Sequence, residues 1–380
     1  PQQRTRKENH QIMAEDNTTA TAPVERPRQF DQPMFSHLPE IDSFLWVSRA
    51  RAAFDVTGKE LTAAVLDTGL NTRHVDFSSR VVAQVNLTND NGGNPDDATD
   101  GNGHGTNVGG IIVANGDHKG IAPEANIIPI KVLDDTGRGG FERIGRGLRW
   151  VRDNHQQHAI TAVCMSLSDG RNYTRDDHLE NDEIRKLIQE LRVNRVAVVI
   201  AAGNHYFQHN SQQGMAYPAI VRECISVGAV YDADEGPFSY GNNGAKAFST
   251  RAGQITPFSQ RLHKSVNRVT ATDIFAPGAP VTSSGIRGEH GESIQQGTSQ
   301  ATPVTVGMIL LMQQFYRRIT GELPEVSDLL QWLQRSGVGI RDGDDEDDNV
   351  AHTNQGFIRI DALSALDAVR RALLKRMLDA

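Results

Sequence analysis

The segment VAVVIAAG (Val196–Gly203) is an unbroken apolar run, and the helical pattern NDEIRKLIQELRVN (Asn181–Asn194) precedes it. A strand with one solvated face alternates apolar and polar residues, whereas a strand buried on both faces is apolar throughout. Continuous apolar strands separated by helices are typical of a parallel sheet with helices on both of its faces. This segment therefore predicts an α/β fold with a central covered sheet.

The same alternation extends through most of the chain. Helical patterns at Gly105–Asn115 and Gly140–Asn154 lie between further apolar runs. Those runs predict strands at Leu61–Asp67, Val81–Leu87, Ala125–Leu133, Ala162–Leu167 and Cys224–Val230. We therefore expect a three-layer α/β/α domain with a mainly parallel sheet, in which functional residues collect at the carboxyl ends of the strands.

The composition argues against two classes of partner. The chain of 380 residues has a formal net charge of −8, and 38% of its residues are apolar. Proteins that bind nucleic acid present a basic face to the phosphates, and this charge balance gives no sign of one. No apolar run approaches the roughly 18 residues that a membrane-spanning helix needs.

The chain divides into a polar extension and a folded domain. Residues 1–40 are polar with little periodicity, which predicts a flexible N-terminal extension or the remnant of a propeptide. They lack the apolar stretch of a secretory signal, so the compartment stays open between cytoplasm and secretion after processing. Residues 41–380 form the predicted domain, with an acidic loop at 341–349 and a final helix from about Asp361 to Leu378.

Three residues bear the side chains that acyl transfer needs. Asp67 ends an apolar run, so its carboxylate emerges at the carboxyl end of a strand. His104 lies between Gly103 and Gly105, and these glycines allow another backbone to come close to the imidazole. Ser299 precedes a long apolar helix, whose N-terminus favours a developing negative charge. In such a set the serine attacks, the histidine transfers the proton and the aspartate orients the imidazole.

A fourth element completes the candidate site. The segment AAGN (Ala201–Asn204) ends the most apolar strand, and the Asn204 amide is a candidate donor to the oxyanion of a tetrahedral intermediate. Pro303, four residues after Ser299, is expected in the first turn of the serine-bearing helix, where a missing N–H is tolerated.

These motifs resemble those of the subtilisin-like serine endopeptidases, the subtilase family, from about Ile41 to Leu366. The matching segments are AVLDTG (Ala64–Gly69), GHGTNVGG (Gly103–Gly110), AAGN (Ala201–Asn204) and GTSQATPVTVG (Gly297–Gly307). The resemblance implies that the domain hydrolyses peptide bonds through an Asp67–His104–Ser299 triad and an acyl-enzyme, with Asn204 and the Ser299 N–H forming the oxyanion hole.

The resemblance also implies where a polypeptide substrate binds. An extended peptide would lie as an added strand between GRGG (Gly137–Gly140) and SLSDG (Ser166–Gly170). The implied substrate-binding residues are Leu133, Gly137, Arg138, Gly139, Phe141, Ile144, Ser166, Leu167 and Ser168. Because Ser168 replaces a glycine that the family usually has, the preferred substrate side chain is left open.

Acyl transfer by this set needs no cofactor, and structural calcium is a further expectation. Asp342 and Asp344 lie two residues apart in the acidic loop and would suit calcium, although an EF-hand loop needs glycine where Asp347 stands. A solvated acidic loop is the alternative. Asp76 matches a calcium ligand of the family, but the segment after His104 is shorter than the family's calcium loop.

Other interpretations stay open. Residues 1–40 are an inhibitory propeptide, part of a longer one, or a linker. A peptide-binding pseudoprotease and a latent zymogen are alternatives to an active peptidase. The segment GTSQA is also close to the G-x-S-x-G motif of esterase-type α/β hydrolases, and His352 follows Ser299 as that order requires. However, no apolar strand precedes this serine.

Overall fold

The computed structural model describes residues 11–13 and 39–379. Its helices are α1 (Pro39–Leu45), α2 (Val47–Phe54), α3 (His104–Val113), α4 (Phe141–Asn154), α5 (Glu183–Val193), α6 (Thr298–Thr320), α7 (Val326–Ser336) and α8 (Ala362–Leu378). Its strands are β1 (Gln11–Met13), β2 (Thr62–Asp67), β3 (Val85–Asn86), β4 (Asn126–Lys131), β5 (Arg138–Gly140), β6 (Ile160–Met165), β7 (Ala197–Ala201), β8 (Ile225–Tyr231), β9 (Phe238–Ser239), β10 (Lys246–Ser249), β11 (Ile274–Ala279), β12 (Val281–Ser284), β13 (Glu292–Gln295), β14 (Val338–Arg341), β15 (Asp347–Asp348) and β16 (Gly356–Arg359).

A nine-stranded sheet forms the centre of the fold. Its strand order is β14-β16-β11-β8-β7-β6-β2-β4-β3. Every neighbouring pair is parallel except β14 and β16. All residues of β2, β6, β7 and β8 are buried, as expected for strands that are covered on both faces. The prediction of a mainly parallel sheet is confirmed.

Side chains that alternate along β2 pack on opposite faces of this sheet. Ala63 and Val65 belong to a core that includes α3 and α6, whereas Ala64 and Leu66 belong to a second core with α4 and α5. The sheet lies between these two cores, which gives the expected three layers.

The strand expected at Val81–Leu87 is much shorter than its apolar pattern indicates. Only Val85–Asn86 forms a strand, at the edge of the sheet beside β4. The Asn86 side chain donates to the carbonyls of Asp90 and Asn94, which ties this edge to the following loop. An edge strand has one neighbour only, so local side-chain bonds compete effectively with the ladder.

The β12–β13 hairpin before α6 is absent from the sequence prediction. Its second strand has the half-exposed sequence ESIQ, so it shows no apolar run. Helix α3 packs closely on this hairpin, because a Cβ on Gly110 would overlap the hydroxyl oxygens of Ser283 and Ser284. A glycine at this position lets the histidine-bearing helix lie directly against the chain that leads to Ser299.

Helix α6 runs through the core rather than along the surface. Residues Thr298–Gln313 are all buried, as expected for a helix that is apolar around most of its circumference. Within residues 11–13 and 39–379, no helix has the combination of length and apolar character that would let it cross a membrane.

The structure describes part of the predicted N-terminal extension and all but the last residue of the C-terminal region. Most of the 1–40 extension lies outside the described residues, which include only β1 and the start of α1 from it. The acidic segment 341–349 begins at the last residue of β14 and contains β15. The final helix α8 begins after Asp361, whose side chain accepts the Ser364 N–H at its N-cap.

A buried ion pair anchors the acidic segment to the domain. Asp342 accepts hydrogen bonds from Nε and Nη2 of Arg261 at 3.0 and 2.8 Å, and both side chains are at most 1% exposed. The Thr353 N–H and the His352 ring bind the same carboxylate. Burial would raise the pKa of Asp342, but Arg261 and these hydrogen bonds hold it well below its usual range.

Loss of the arginine should therefore destabilise the fold. Arg261→Met removes both guanidinium hydrogen bonds from the buried Asp342 carboxylate and leaves it only the His352 ring and the Thr353 N–H. We expect the free energy of unfolding to fall by about 3–5 kcal/mol. Urea denaturation measures this change. Arg195→Met is the control, because it breaks the more exposed pairs with Glu322 and Glu325 and should cost no more than about 1 kcal/mol. Equal losses in the two variants would contradict the interpretation.

Candidate active site

The Asp67 carboxylate and the His104 imidazole meet at the carboxyl end of β2. His104 Nδ1 lies 2.8 Å from Asp67 Oδ1, and the two side chains are 4% and 0% exposed. Because an ionised carboxylate only accepts hydrogen bonds, Nδ1 carries the proton and donates it. The Thr68 N–H also donates to Asp67 Oδ1, at 2.7 Å. The carboxylate therefore fixes both the tautomer and the orientation of the imidazole.

Glycines let α3 begin directly against the turn after β2. The Gly105 N–H donates to Thr68 Oγ1 at 2.9 Å, and a Cβ on Gly105 would overlap the carbonyl oxygen of Gly69. Gly103 has a φ of 106°, in the left-handed region that favours glycine. The close backbone approach expected around His104 is thus present, and the Thr68–Gly69 turn supplies one of the approaching chains.

Asp100 holds the loop that leads into α3, and sequence analysis did not single it out. Its Oδ1 accepts the N–H groups of Asn102 and Gly103, and its Oδ2 accepts the N–H and the hydroxyl of Thr106. Asp100 could have been found from its position, because a carboxylate just before a helix can accept the unpaired N–H groups of the first turn. It lies four residues before His104, the first residue of α3.

Ser299 is the second residue of α6 and lies beside the end of β6. Its Oγ donates to the Ser166 carbonyl at 3.4 Å, and the Ser166 hydroxyl donates to the Ser299 carbonyl at 2.7 Å. Pro303 is the sixth residue of α6 and lies beyond its first turn, so the prediction that it lies in the first turn is wrong. Since proline has no N–H, the carbonyl of Ser299 lacks its helical donor, and the Ser166 hydroxyl takes that place.

A contact between amides joins the beginnings of α3 and α6. Gln300, next to Ser299, donates from Nε2 to Asn107 Oδ1 at 3.2 Å. Asn107 is three residues after His104 and therefore lies on the same side of its helix, one turn further on. The elements that bear the candidate base and the candidate nucleophile are held side by side.

The Asn204 amide faces the N-terminus of α6. Its Oδ1 accepts the N–H and the hydroxyl of Thr298 at 2.8 and 2.9 Å, which turns Nδ2 in the other direction. A Cβ built on Gly297 would lie 2.7 Å from Asn204 Nδ2 and 3.4 Å from the Ser299 nitrogen. The amide oxygen of Gln300 lies 3.2 Å from the same point, so two nitrogen donors and one side-chain oxygen border the small space beside Gly297. Two neighbouring donors are what an oxyanion hole requires.

The residues predicted to bind substrate lie on two segments of the chain. Gly137 precedes β5, which comprises Arg138–Gly140, and Ser166–Ser168 follow β6. The other predicted positions are Leu133 and Ile144, which are fully buried, and Phe141, which is half-buried against Tyr217.

Strand β5 has a partner from the N-terminal extension. Strand β1 pairs with it in antiparallel register, with Gln11 opposite Gly140 and Met13 opposite Arg138. An N-terminal segment of the chain therefore lies along the strand on which sequence analysis predicts the substrate main chain.

Asp169 lies next to Ser168, which is predicted to bind substrate, and its carboxylate accepts hydrogen bonds from three neighbouring residues. Its Oδ1 accepts the N–H groups of Arg171 and Tyr217, and its Oδ2 accepts the Tyr173 hydroxyl at 2.9 Å. The last of these bonds adds to burial and to the nearby carboxylate charge in raising the pKa of Tyr173.

Asp76, a candidate calcium ligand, lies among imidazoles. Its Oδ2 is 2.7 Å from His118 Nδ1 and 3.2 Å from His74 Nδ1, and all three side chains are buried. Burial lowers the pKa of His118, but hydrogen bonds to Asp76 and Glu292 outweigh this effect and raise it to about 9. Calcium takes about six to eight oxygen ligands, so this nitrogen-rich set does not fit calcium.

The two candidate ligands in the acidic segment have different surroundings. Both oxygens of Asp342 bind Arg261, so this carboxylate already has its cation and does not fit a calcium site. Asp344 lies with Asp345 and Glu346 in a more exposed group of carboxylates. Calcium at that group stays a prediction.

The esterase alternative does not fit the local structure. A nucleophile elbow follows a strand of the parallel sheet, whereas Ser299 follows the antiparallel β12–β13 hairpin. His352, which that alternative needs as the base, binds Asp342 and Asp348.

Comparison with known proteins identifies the class. The sequence model of the Subtilase family matches residues 58–356. The major intracellular serine protease of Bacillus subtilis is 32% identical over 250 residues, which cover 65% of this chain and 74% of that protein. The intracellular serine protease of Paenibacillus polymyxa is 29% identical over 280 residues, 72% and 73% of the two chains. An extracellular serine proteinase of Thermus sp. is 30% identical over 284 residues, 74% and 58% of the two chains.

The fold and these similarities define a serine endopeptidase, with polypeptides as its class of substrate. The chain belongs to the Subtilase family. Its relatives include proteases named as intracellular and one named as extracellular.

Closing the space beside Gly297 should impair turnover. Gly297 has φ and ψ of 154° and 167°, a conformation that is almost restricted to glycine, and a methyl group there would press on Asn204 Nδ2. We expect Gly297→Ala to lower kcat on a peptide substrate by about 10²–10³-fold, the cost of losing one oxyanion donor. The control is Gly339→Ala, since a Cβ on Gly339 meets no atom within 4 Å. Unchanged kcat in Gly297→Ala would contradict this interpretation.

Proposed function

We propose that this serine endopeptidase cleaves peptide bonds with Ser299 as the nucleophile, His104 as the base and then the acid, and Asp67 as the orienting group. The proposal rests on the buried bond between His104 Nδ1 and Asp67 Oδ1 at 2.8 Å. This bond assigns the proton of the neutral ring to Nδ1, so Nε2 is the nitrogen that takes the serine proton.

Acylation then proceeds in two proton-coupled steps. Ser299 Oγ forms a bond to the scissile carbonyl carbon while its proton moves to His104 Nε2. The C–N bond breaks next, and the departing amine takes that proton from His104. The ionised Asp67 stabilises the imidazolium that exists between the two steps. Water repeats the sequence on the ester and releases the acid, so Ser299 is restored.

The oxyanion of each tetrahedral intermediate would bind beside Gly297. Asn204 Nδ2 and the Ser299 N–H are the proposed donors, since both border that space. Asn204 is fixed in advance by its two bonds from Thr298, so its dipole needs little reorganisation as the charge develops.

Active-site labelling tests the nucleophile. Wild-type protein and Ser299→Ala are treated with a fluorophosphonate, and the intact mass of each is measured. We expect one adduct on the wild type and none on Ser299→Ala, because only an activated serine reacts. Circular dichroism of both proteins checks that the substitution leaves the fold intact. An equal adduct on both proteins would show that another residue is the nucleophile.

We also propose that the N-terminal segment inhibits the site by occupying β5, the strand along which the substrate main chain is predicted to bind. The supporting observation is the antiparallel pairing of β1 with β5. A substrate that adds to the same strand makes the same type of main-chain hydrogen bond, so the two compete for it. This proposal favours the inhibitory interpretation of residues 1–40 over a linker.

Two truncations separate these interpretations. Deletion of residues 1–14 removes β1, whereas deletion of residues 1–9 keeps it and serves as the matched control. Because the segment competes with substrate, we expect the longer deletion to lower KM by roughly 10²-fold with little change in kcat. Steady-state kinetics on a soluble peptide measures both constants. If the two truncations have the same KM, β1 does not compete with substrate.

A further inference from the structure

We propose that His74, Asp76 and His118 form a binding site for a divalent transition metal ion of the Zn²⁺ class. The site lies outside the proposed triad and does not depend on its assignment. The ligand atoms of the three side chains lie within 4.8 Å of one another, and all three residues are buried.

The three side chains come from two turns that meet beside α3. His74 and Asp76 belong to the turn at residues 74–77, which follows β2 along the chain, and His118 lies in the turn after the end of α3. Gly116 permits this contact, because a Cβ there would lie 2.8 Å from the Val75 carbonyl oxygen.

Both imidazoles direct Nδ1 toward Asp76 and Nε2 toward another acceptor. His74 Nε2 donates to the Gly291 carbonyl at 2.7 Å, and His118 Nε2 lies 3.3 Å from Glu292 Oε2. Histidines that bind metals in proteins characteristically donate their second ring nitrogen to a carbonyl or a carboxylate, which fixes the tautomer and the ring orientation. The cluster has this pattern at both rings.

The hydrogen bonds of His74 establish which of its nitrogens carries a lone pair. Its Nδ1 accepts the Asp76 N–H at 3.1 Å, so the ring proton is on Nε2. A metal ion would replace this contact at His74 and the proton that His118 Nδ1 shares with Asp76 Oδ2.

The chemistry of the donors favours zinc over calcium or magnesium. Two imidazoles and one carboxylate, once the ion has displaced the proton on His118 Nδ1, match the three protein ligands of many zinc sites, in which water or another oxygen completes a tetrahedron. The Ser284 hydroxyl, 2.5 Å from Asp76 Oδ2, offers an oxygen at the same place. Asp76 and Glu292 together carry two negative charges, which balance a divalent ion.

Metal binding there would connect three segments that support the active site. These are the turn at residues 74–77, the turn after α3, and the β12–β13 hairpin, which contacts the ligands through Ser284 and Glu292. An ion that binds only the folded chain stabilises it in proportion to the logarithm of its concentration over Kd. Zinc is therefore expected to raise the unfolding temperature of the protein.

Cobalt titration of the full chain tests the site directly. The protein carries Ser299→Ala to prevent self-digestion and is first treated with a chelator. We expect one equivalent of Co²⁺ to give the intense visible absorption of tetrahedral coordination, and one equivalent of Zn²⁺ to displace it. Excess Ca²⁺ should leave the spectrum unchanged. The absence of a tetrahedral spectrum would mean a hydrogen-bonded cluster only and would overturn the proposal.

A pair of histidine variants assigns the ligands. We expect His118→Gln to weaken Zn²⁺ binding by at least about 100-fold in calorimetry, since even residues behind the ligands change affinity by about 10–100-fold. His290→Gln is the matched control, because His290 is exposed and pairs with Asp117 beside the cluster. Its affinity should equal that of the unsubstituted background. Equal affinity in His118→Gln would overturn the assignment, and the cobalt spectrum decides the case if that variant does not fold.

Discussion

The common direction of the parallel strands is the constraint on which the candidate site depends. Strands β7, β6 and β2 are neighbours in the sheet, and all three run the same way. Asp67 is the last residue of β2, while Ser166 and Asn204 follow β6 and β7. The three residues therefore share one edge of the sheet. The helices that begin with His104 and Thr298 start above this edge, so the helix N-termini and the strand ends face the same space. Residues that are distant in sequence come together because parallel strands all have their carboxyl ends at the same edge of the sheet.

The sequence identified the elements whose burial is visible as composition. Strands β2, β6, β7 and β8 are apolar on both faces, so each appears as an unbroken run, and the predictions agree with the structure within a few residues. Strand β3 and the β12–β13 hairpin lie at an edge or outside the main sheet, where polar side chains are tolerated, so periodicity does not reveal them.

The candidate site likewise has parts that the sequence reveals and parts that only the folded structure reveals. Asp67, His104, Asn204 and Ser299 lie in short motifs that are legible in the sequence, but the groups that orient them are distant along the chain. The bond from the Ser166 hydroxyl to the Ser299 carbonyl joins residues that are 133 positions apart. His118 likewise meets Asp76 only after the fold has formed, and sequence analysis singled out only Asp76 of that cluster.

The antiparallel pairing of β1 with β5 makes occupancy of the predicted substrate strand a consequence of chain connectivity. A tethered segment presents itself to its partner at an effective concentration on the order of millimolar, whatever the dilution of the protein. A free peptide of equal intrinsic affinity must exceed that concentration to replace it. One cut between residues 13 and 39 turns the same pairing into a two-molecule equilibrium, and dilution then releases the segment. Hydrolysis of a single bond between those residues would therefore change β5 irreversibly from a paired strand to an unpaired one.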